Sequence, residues 1–201
     1  MIKNVIILTL SLKFNSLCIA AYDASNNEII RLVKDTSREN GIPRTYVKNI
    51  NLLDEVSINI LEYCPKEHQT ENVLIDLEYG LKRTGRKADI RTIYNSLQKH
   101  TYIFGNTNYK VSSIGMLDHS LEIIRFENMH IQIKTINEKT KTKASFKSNS
   151  KMHLDYSVTD ARYFEEEEFI KSGYSIISLP ATDDFTEQYG YFKYVSAIYP
   201  D

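Results

Sequence analysis

Apolar side chains recur at every second position through most of residues 121–199, and a chain patterned in this way builds sheets rather than a helix bundle. Residues 121–135 read as a long strand. Leu121 and Ile123 share one face, and after a slip Ile124, Phe126, Met129, Ile131 and Ile133 continue the apolar face. A polar turn at 137–142 leads to Ala144-Ser145-Phe146, and a second at 148–150 leads to Met152, Leu154, Tyr156 and Val158. Those four are spaced two apart, which predicts a half-buried strand with all four inside. Residues 160–171 are predicted as a helix, capped by Thr159 or Asp160 and closed by Gly173. Strands are predicted at 174–179 and 191–199. Three strands, a helix and two further strands is the order of an OB barrel, a closed five-stranded Greek-key fold.

The first half carries a weaker copy of this plan. Strands are predicted at 2–10, 16–23 and 28–34, with a turn at 24–27 rich in residues that tolerate a left-handed backbone. A polar stretch at 35–51 carries Gly41 and Pro43 and is expected to hold one short helical turn. Val56, Ile58 and Ile60 set the inner face of a strand at 54–63, which Pro65 ends. A short apolar strand follows at 71–76. Ile90, Ile93, Tyr94 and Leu97 fall at helical spacing within 87–98. Residues 102–104 read as a short strand before the turn signal Gly105-Asn106. The predicted fold class is mostly β with a few helices, arranged as tandem OB-like antiparallel β-barrels. The first spans residues 1–108, including the connecting helix at about 87–98, and the second 109–201.

Bulk properties narrow the partners. The hydrophobic fraction of 42% in 201 residues supports a packed core. A net charge of −1 is not the global basic excess of a dedicated nucleic-acid protein, so an electrostatic footprint must be local. Tyr (14) and Phe (8) supply strand formers and stacking surfaces alike. Cys18 and Cys64 sit far apart among apolar residues and read as isolated buried thiols rather than a disulfide. The apolar run at 5–8 is too short for a signal core or a bilayer span, so the expectation is a buried strand in a cytoplasmic protein with no membrane partner.

Short segments spread along the chain carry a resemblance. They are Val5-Ile6-Ile7-Leu8-Thr9, Cys18-Ile19-Ala20, Ile30-Arg31-Leu32-Val33, Glu71-Asn72-Val73-Leu74-Ile75-Asp76, Phe104-Gly105-Asn106, Lys143-Ala144-Ser145-Phe146 and Ser157-Val158-Thr159-Asp160. Together they resemble the dual OB-fold domain family of prokaryotic proteins. The resemblance implies the architecture and a likeness to nucleic-acid-binding OB proteins. It implies no catalytic residue and no cofactor.

Two basic groups are candidates for phosphate contacts. Lys82, Arg83, Arg86, Lys87 and Arg91 lie within ten positions, beside Gly80 and Gly85. In the second barrel Lys134, Lys141 and Lys143, with Lys139 and Lys147, flank the connection between its first two strands, which borders the usual OB ligand groove. Phe146 and Tyr156 would stack on bases if they faced outward, but their alternation assigns them to the core. Arg31, Asn72, Asp76 and Asn106 are further ligand-binding candidates. Arg31 either points outward or is buried against Glu71 or Asp76, and the asparagines serve either a ligand or a turn. The five histidines show no metal-site spacing, and Asp118-His119-Ser120 are neighbours rather than groups converging from separate elements. The expected function is a non-catalytic module for single-stranded DNA or RNA, with prokaryotic defence or repair as one setting. The alternative is a sensor of a nucleotide or small ligand, or a protein-interaction adaptor. Catalysis ranks last, since it needs a pocket shared by groups such as Arg31, Asp76 and His119. No cofactor and no metal are expected.

Overall fold

The computed structural model describes every residue except Phe14, Arg38 and Asn137. The stretch predicted at 35–51 and the turn predicted at 137–142 each include one residue outside the described set. The chain divides into two compact units, Met1–Gln98 and Lys99–Asp201.

In the first unit β1 is Ile2–Ile7, β2 Ser11–Lys13, β3 Ser16–Asp23, β4 Glu28–Val33, β5 Ile42–Pro43, β6 Asp54–Tyr63, β7 Asn72–Ile75 and β8 Lys82–Lys87. Pairings run β1–β3–β4–β7–β6, and β6 returns to β1. β4 and β7 pair in parallel, Arg31 opposite Asn72, while the other four links are antiparallel. That circuit is the Greek-key order expected of an OB barrel. β8 adds to β6 outside it, and β2 and β5 add to β3. Val5, Ile7, Ile19, Leu32, Val56, Ile58 and Val73 fill the interior. β6 shows why the alternation was readable, with Val56, Ile58 and Ile60 buried between half-exposed neighbours.

The second unit has β9 at Lys110–Val111, β10 at Leu121–Ile136, β11 at Lys139–Ser148, β12 at Lys151–Val158, β13 at Glu168–Ser178, β14 at Tyr191–Phe192 and β15 at Tyr194–Pro200. β10, β11, β12, β15 and β13 form a closed barrel, with β12 and β15 parallel. Phe126, Met129, Ile131, Ala144, Phe146, Tyr156 and Ile198 lie in its core. The structure is thus mostly β, and both units carry the same five-strand circuit.

Three local expectations are corrected. Residues 160–171 do not form a helix. Asp160 caps a single 3-10 turn, Ala161–Tyr163, and its carboxylate also accepts from Arg162 and from the Ile198 amide. The chain then extends from Glu168, because pairing Phe169 and Ile170 with β10 buries Ile170 beside Met129, which outweighs the helix propensity of four glutamates. Residues 102–104 are not a strand. Ile103–Gly105 is a 3-10 turn in which Phe104 takes φ 46°, an uncommon conformation for an aromatic residue. The third correction concerns β12, described below. The best helix is shorter than its pattern, α1 at Ile90–Ser96, with Asp89 accepting from the Thr92 amide. A second helix that alternation did not announce, α2 at Asp184–Tyr189, starts from an Asp183–Thr186 capping box.

Gly173 closes no helix. It lies inside β13, where a Cβ would overlap the Tyr199 carbonyl oxygen and come within 2.9 Å of the Phe126 ring. Gly173→Ala is expected to destabilise the second barrel by about 2 kcal/mol through forced displacement of packed backbone. Chemical denaturation of the full chain checks this, and an unchanged midpoint would show that the strands do not approach so closely.

Candidate nucleic-acid interface

The outer face of the second barrel is set by two bulges. Ala144 pairs with Tyr156 but Phe146 with His153, so Ser145 alone opposes Leu154 and Asp155. Asp155 takes φ 60° there, and its amide donates to Ser145 Oγ at 3.1 Å. The extra residue inverts the strand. Tyr156 and Val158 point inward as predicted, but Met152 and Leu154 point outward, 51% and 56% exposed, and His153 takes the inner position. A second bulge at Asn128, φ 50°, lies on the facing strand.

The outward residues form a shallow, open trough of about 720 Å³. Asn128, His130 and Gln132 come from β10, Ser145 and Lys147 from β11, Met152 and Leu154 from β12, and Phe169 from β13. The His130 and Phe169 rings lie 4.7 Å apart, and the Phe169 side is 54% exposed. Phe146 and Tyr156 lie fully in the core and offer no stacking surface.

Lysines cluster along the same two strands. Lys134 pairs across the ladder with Lys141, and Gln132 with Lys143. Lys134 Nζ meets Asp155 Oδ1 at 2.5 Å, and Lys143 Nζ donates to Ser157 Oγ at 2.9 Å. Burial, and then the neighbouring charges of Lys141 and Lys134, hold the Lys143 ammonium below the usual lysine range. Lys141 and Lys134 thus lie close enough to act on Lys143, and Asp155 already answers part of that charge through Lys134.

The first unit's basic group is differently placed. Lys82–Lys87 is a strand, and it pairs with β6. Arg83 Nε lies 3.0 Å from Oδ2 of Asp54, a carboxylate with no exposure, while Lys87 lies 3.8 Å from its Oδ1. Arg86 approaches Glu55 at 3.8 Å, and Lys82 sits over the Tyr79 ring. Much of this charge is answered by carboxylates of the neighbouring strand. Arg91 is exposed on α1.

The four remaining candidates are mostly engaged with the protein. Arg31 is buried, its guanidinium 3.3 Å from Glu71 and 2.7 Å from the Cys18 sulfur. Asn72, its register partner across the parallel junction, is buried beside Gln69. Asp76 accepts from the Glu78 and Tyr79 amides in an Asx turn and from Asn59. Asn106 accepts from Lys193 through both its carbonyl and its side chain. Cys18 and Cys64 are free thiols, each partly buried.

A buried polar group in the second unit escaped the sequence reading. Lys193 is fully buried, with Nζ donating to the Ile103 and Asn106 carbonyls at 2.6 and 2.9 Å; burial pushes its ammonium down to about 8. It thereby holds the turn that carries Phe104. Glu122, also buried, accepts from the Phe104 amide and faces His119 Nε2 at 2.9 Å. His119 Nδ1 faces Asp118 at 2.7 Å, so both ring nitrogens of this histidine meet carboxylates; the hydrogen bonds to Glu122 and Asp118 raise it to about 9. Burial lowers His153 to about 4, and its Nδ1 lies 3.1 Å from the Tyr156 hydroxyl. His100, His119 and Glu122 place one donor atom each within 4.8 Å of the others, a set able to hold a metal. The signal for Lys193 and Glu122 was a lone charge between apolar neighbours, in Phe192-Lys193-Tyr194 and Leu121-Glu122-Ile123.

A family model described as the dual OB-containing domain matches residues 3–198. No curated protein matches the chain. Among the described residues no helix is long and apolar enough to cross a membrane.

Removing Arg83 leaves the buried Asp54 carboxylate without its nearest cation. Arg83→Ala is expected to cost about 1 kcal/mol, less than a fully buried pair because the arginine is 43% exposed. Arg86→Ala should leave the thermal midpoint unmoved. Equal midpoints for the two variants would show that the Arg83–Asp54 pair contributes nothing.

Proposed function

Because the chain belongs to the dual OB-containing domain family, and OB folds commonly bind nucleic acids, we propose that it binds single-stranded DNA or RNA without catalysis. The binding face is the outer surface of β10, β11 and β12 with the start of β13 in the second barrel. The observation that carries this reading is the exposed His130–Phe169 ring pair beside the Lys134, Lys141 and Lys143 cluster. The rings offer bases a flat apolar surface, and the lysines offer the backbone its counter-charge. OB barrels use the face of strands two and three together with the loop joining strands one and two, which correspond here to β11, β12 and the β10–β11 hairpin. The four lysines Lys134, Lys141, Lys143 and Lys147 also suit such a face because the whole chain has no basic excess to supply attraction elsewhere. The basic strand Lys82–Lys87 contributes less, because Asp54 and Glu55 already answer its arginines. A prokaryotic defence or repair role, and a cytoplasmic location, fit such a module.

The second reading is a protein-interaction adaptor, favoured by Met152 and Leu154, two large apolar side chains standing exposed in the trough. Fluorescence anisotropy with labelled oligo-dT and oligo-U separates the two. Wild-type protein is expected to bind, with affinity falling steeply between about 50 and 200 mM salt. Phe169→Ala is expected to lose roughly tenfold in affinity through one stacking contact. Replacing Lys134, Lys141 and Lys143 together by alanine should flatten the salt dependence by about two units of log–log slope. Absence of binding at the lower salt would overturn the nucleic-acid reading and leave the adaptor.

A further inference from the structure

Asp118, His119 and Glu122 alone would make a satisfied hydrogen-bonded trio, and that trio does not account for His100. Its ring stacks on His119 with centroids 5.0 Å apart and planes 21° apart, although His100 itself is exposed. Packing two imidazoles face to face beside a buried carboxylate brings together three donor atoms from separate segments: residue 100, the loop before β10, and β10 itself. We propose that His100, His119 and Glu122 form a binding site for a divalent transition-metal ion of the zinc class.

The donor spacing suits such an ion. Zinc–nitrogen and zinc–oxygen bonds of about 2.05 Å at tetrahedral angles separate the ligand atoms by roughly 3.3 Å. His119 Nε2 and Glu122 Oε1 stand 2.9 Å apart, and all three donors fall within 4.8 Å, so side-chain rotation of a few tenths of an ångström to about 1.5 Å closes the set. The supporting shell matches what metal-bound histidines need. Asp118 Oδ1 lies 2.7 Å from His119 Nδ1 and holds a proton there, so an ion binding at Nε2 takes the place of the proton that Nε2 shares with Glu122. The Phe104 amide donates to Glu122 Oε1 at 2.9 Å and orients that carboxylate. Phe104 takes a left-handed backbone at φ 46°, so an uncommon conformation for an aromatic residue borders the same centre. Two imidazoles with one carboxylate favour zinc-class ions over magnesium or calcium, which prefer all-oxygen shells. Three protein ligands leave a fourth position for water. The bound ion would tether residue 100 and the Ile103–Gly105 turn to the start of β10. The site does not depend on the nucleic-acid reading, since none of its ligands lines the trough.

Titration of the chelator-stripped full-length chain with zinc chloride, followed by calorimetry, tests this. One equivalent of zinc is expected to bind and to raise the melting temperature with increasing zinc concentration. His100→Ala is the informative variant, because His100 is exposed and its removal leaves the His119–Glu122 contact in place. This variant is expected to fold with the wild-type circular dichroism and to bind zinc about tenfold more weakly or worse. The free thiols Cys18 and Cys64 are present in both proteins, so any adventitious uptake by them cancels in the comparison. The proposal is overturned if wild type takes up no stoichiometric zinc, if His100→Ala binds as tightly, or if magnesium binds equally well.

Discussion

The parallel pairing of the third and fifth strands of each circuit decides the rest of the structure. In the first unit it joins β4 to β7 through Arg31–Asn72, Leu32–Val73 and Val33–Leu74; in the second it joins β12 to β15 through Ser157–Tyr194 and Val158–Val195. These links turn an open meander into a cylinder. A closed cylinder has an inside that must be apolar and an outside that is free to carry chemistry. The two junctions are stabilised differently. Beside the first, the buried Arg31–Glu71 pair is held with the Cys18 sulfur within reach. Beside the second, Asp160 binds Arg162 and the Ile198 amide, so a charged side chain secures the strand that completes the barrel.

Closure alone does not say which residues reach the outside. In the second barrel the bulge at Asp155 does. By placing two residues of β12 against one of β11, it turns Met152 and Leu154 out and His153 in. The trough with the His130–Phe169 pair and the crowding of Lys143 against Lys134 and Lys141 lie on the face so defined. The exchange also places an imidazole in the core, where the Tyr156 hydroxyl satisfies it and burial keeps it neutral.

Much of this architecture was legible because half-buried strands write their inner face at period two. The strands at 16–23 and 54–63 were read with the bounds the structure gives them. In the strand at 54–63 the register shifts fall at its ends, after Ile60 and before Val56, so the run Val56, Ile58, Ile60 keeps its alternation. Residues 152–158 misled for the opposite reason. Four apolar residues spaced two apart read as one face, and nothing in Leu154-Asp155-Tyr156 announces that Asp155 will take a left-handed backbone. The acidic run at 165–168 misled because helix propensity is a local quantity, whereas the pairing of Phe169 and Ile170 with β10 is a contact some forty residues distant. Of the candidate site, the lysines were visible as charge. Phe169 and His130 were not, since a lone aromatic beside an acidic run carries no mark of which side of a barrel it will occupy. Lys193 and Glu122 are each single charges between apolar neighbours, and only the fold shows that they meet the same turn.

The inversion of β12 is the claim on which the interface rests, and Leu154→Lys tests it most directly by equilibrium unfolding. With Leu154 on the outer face, the lysine reaches solvent and stability should change by no more than about 0.5 kcal/mol. If strict alternation held instead, the same substitution would place an unpaired ammonium in the core. A loss of several kcal/mol, or failure to fold, would contradict the account.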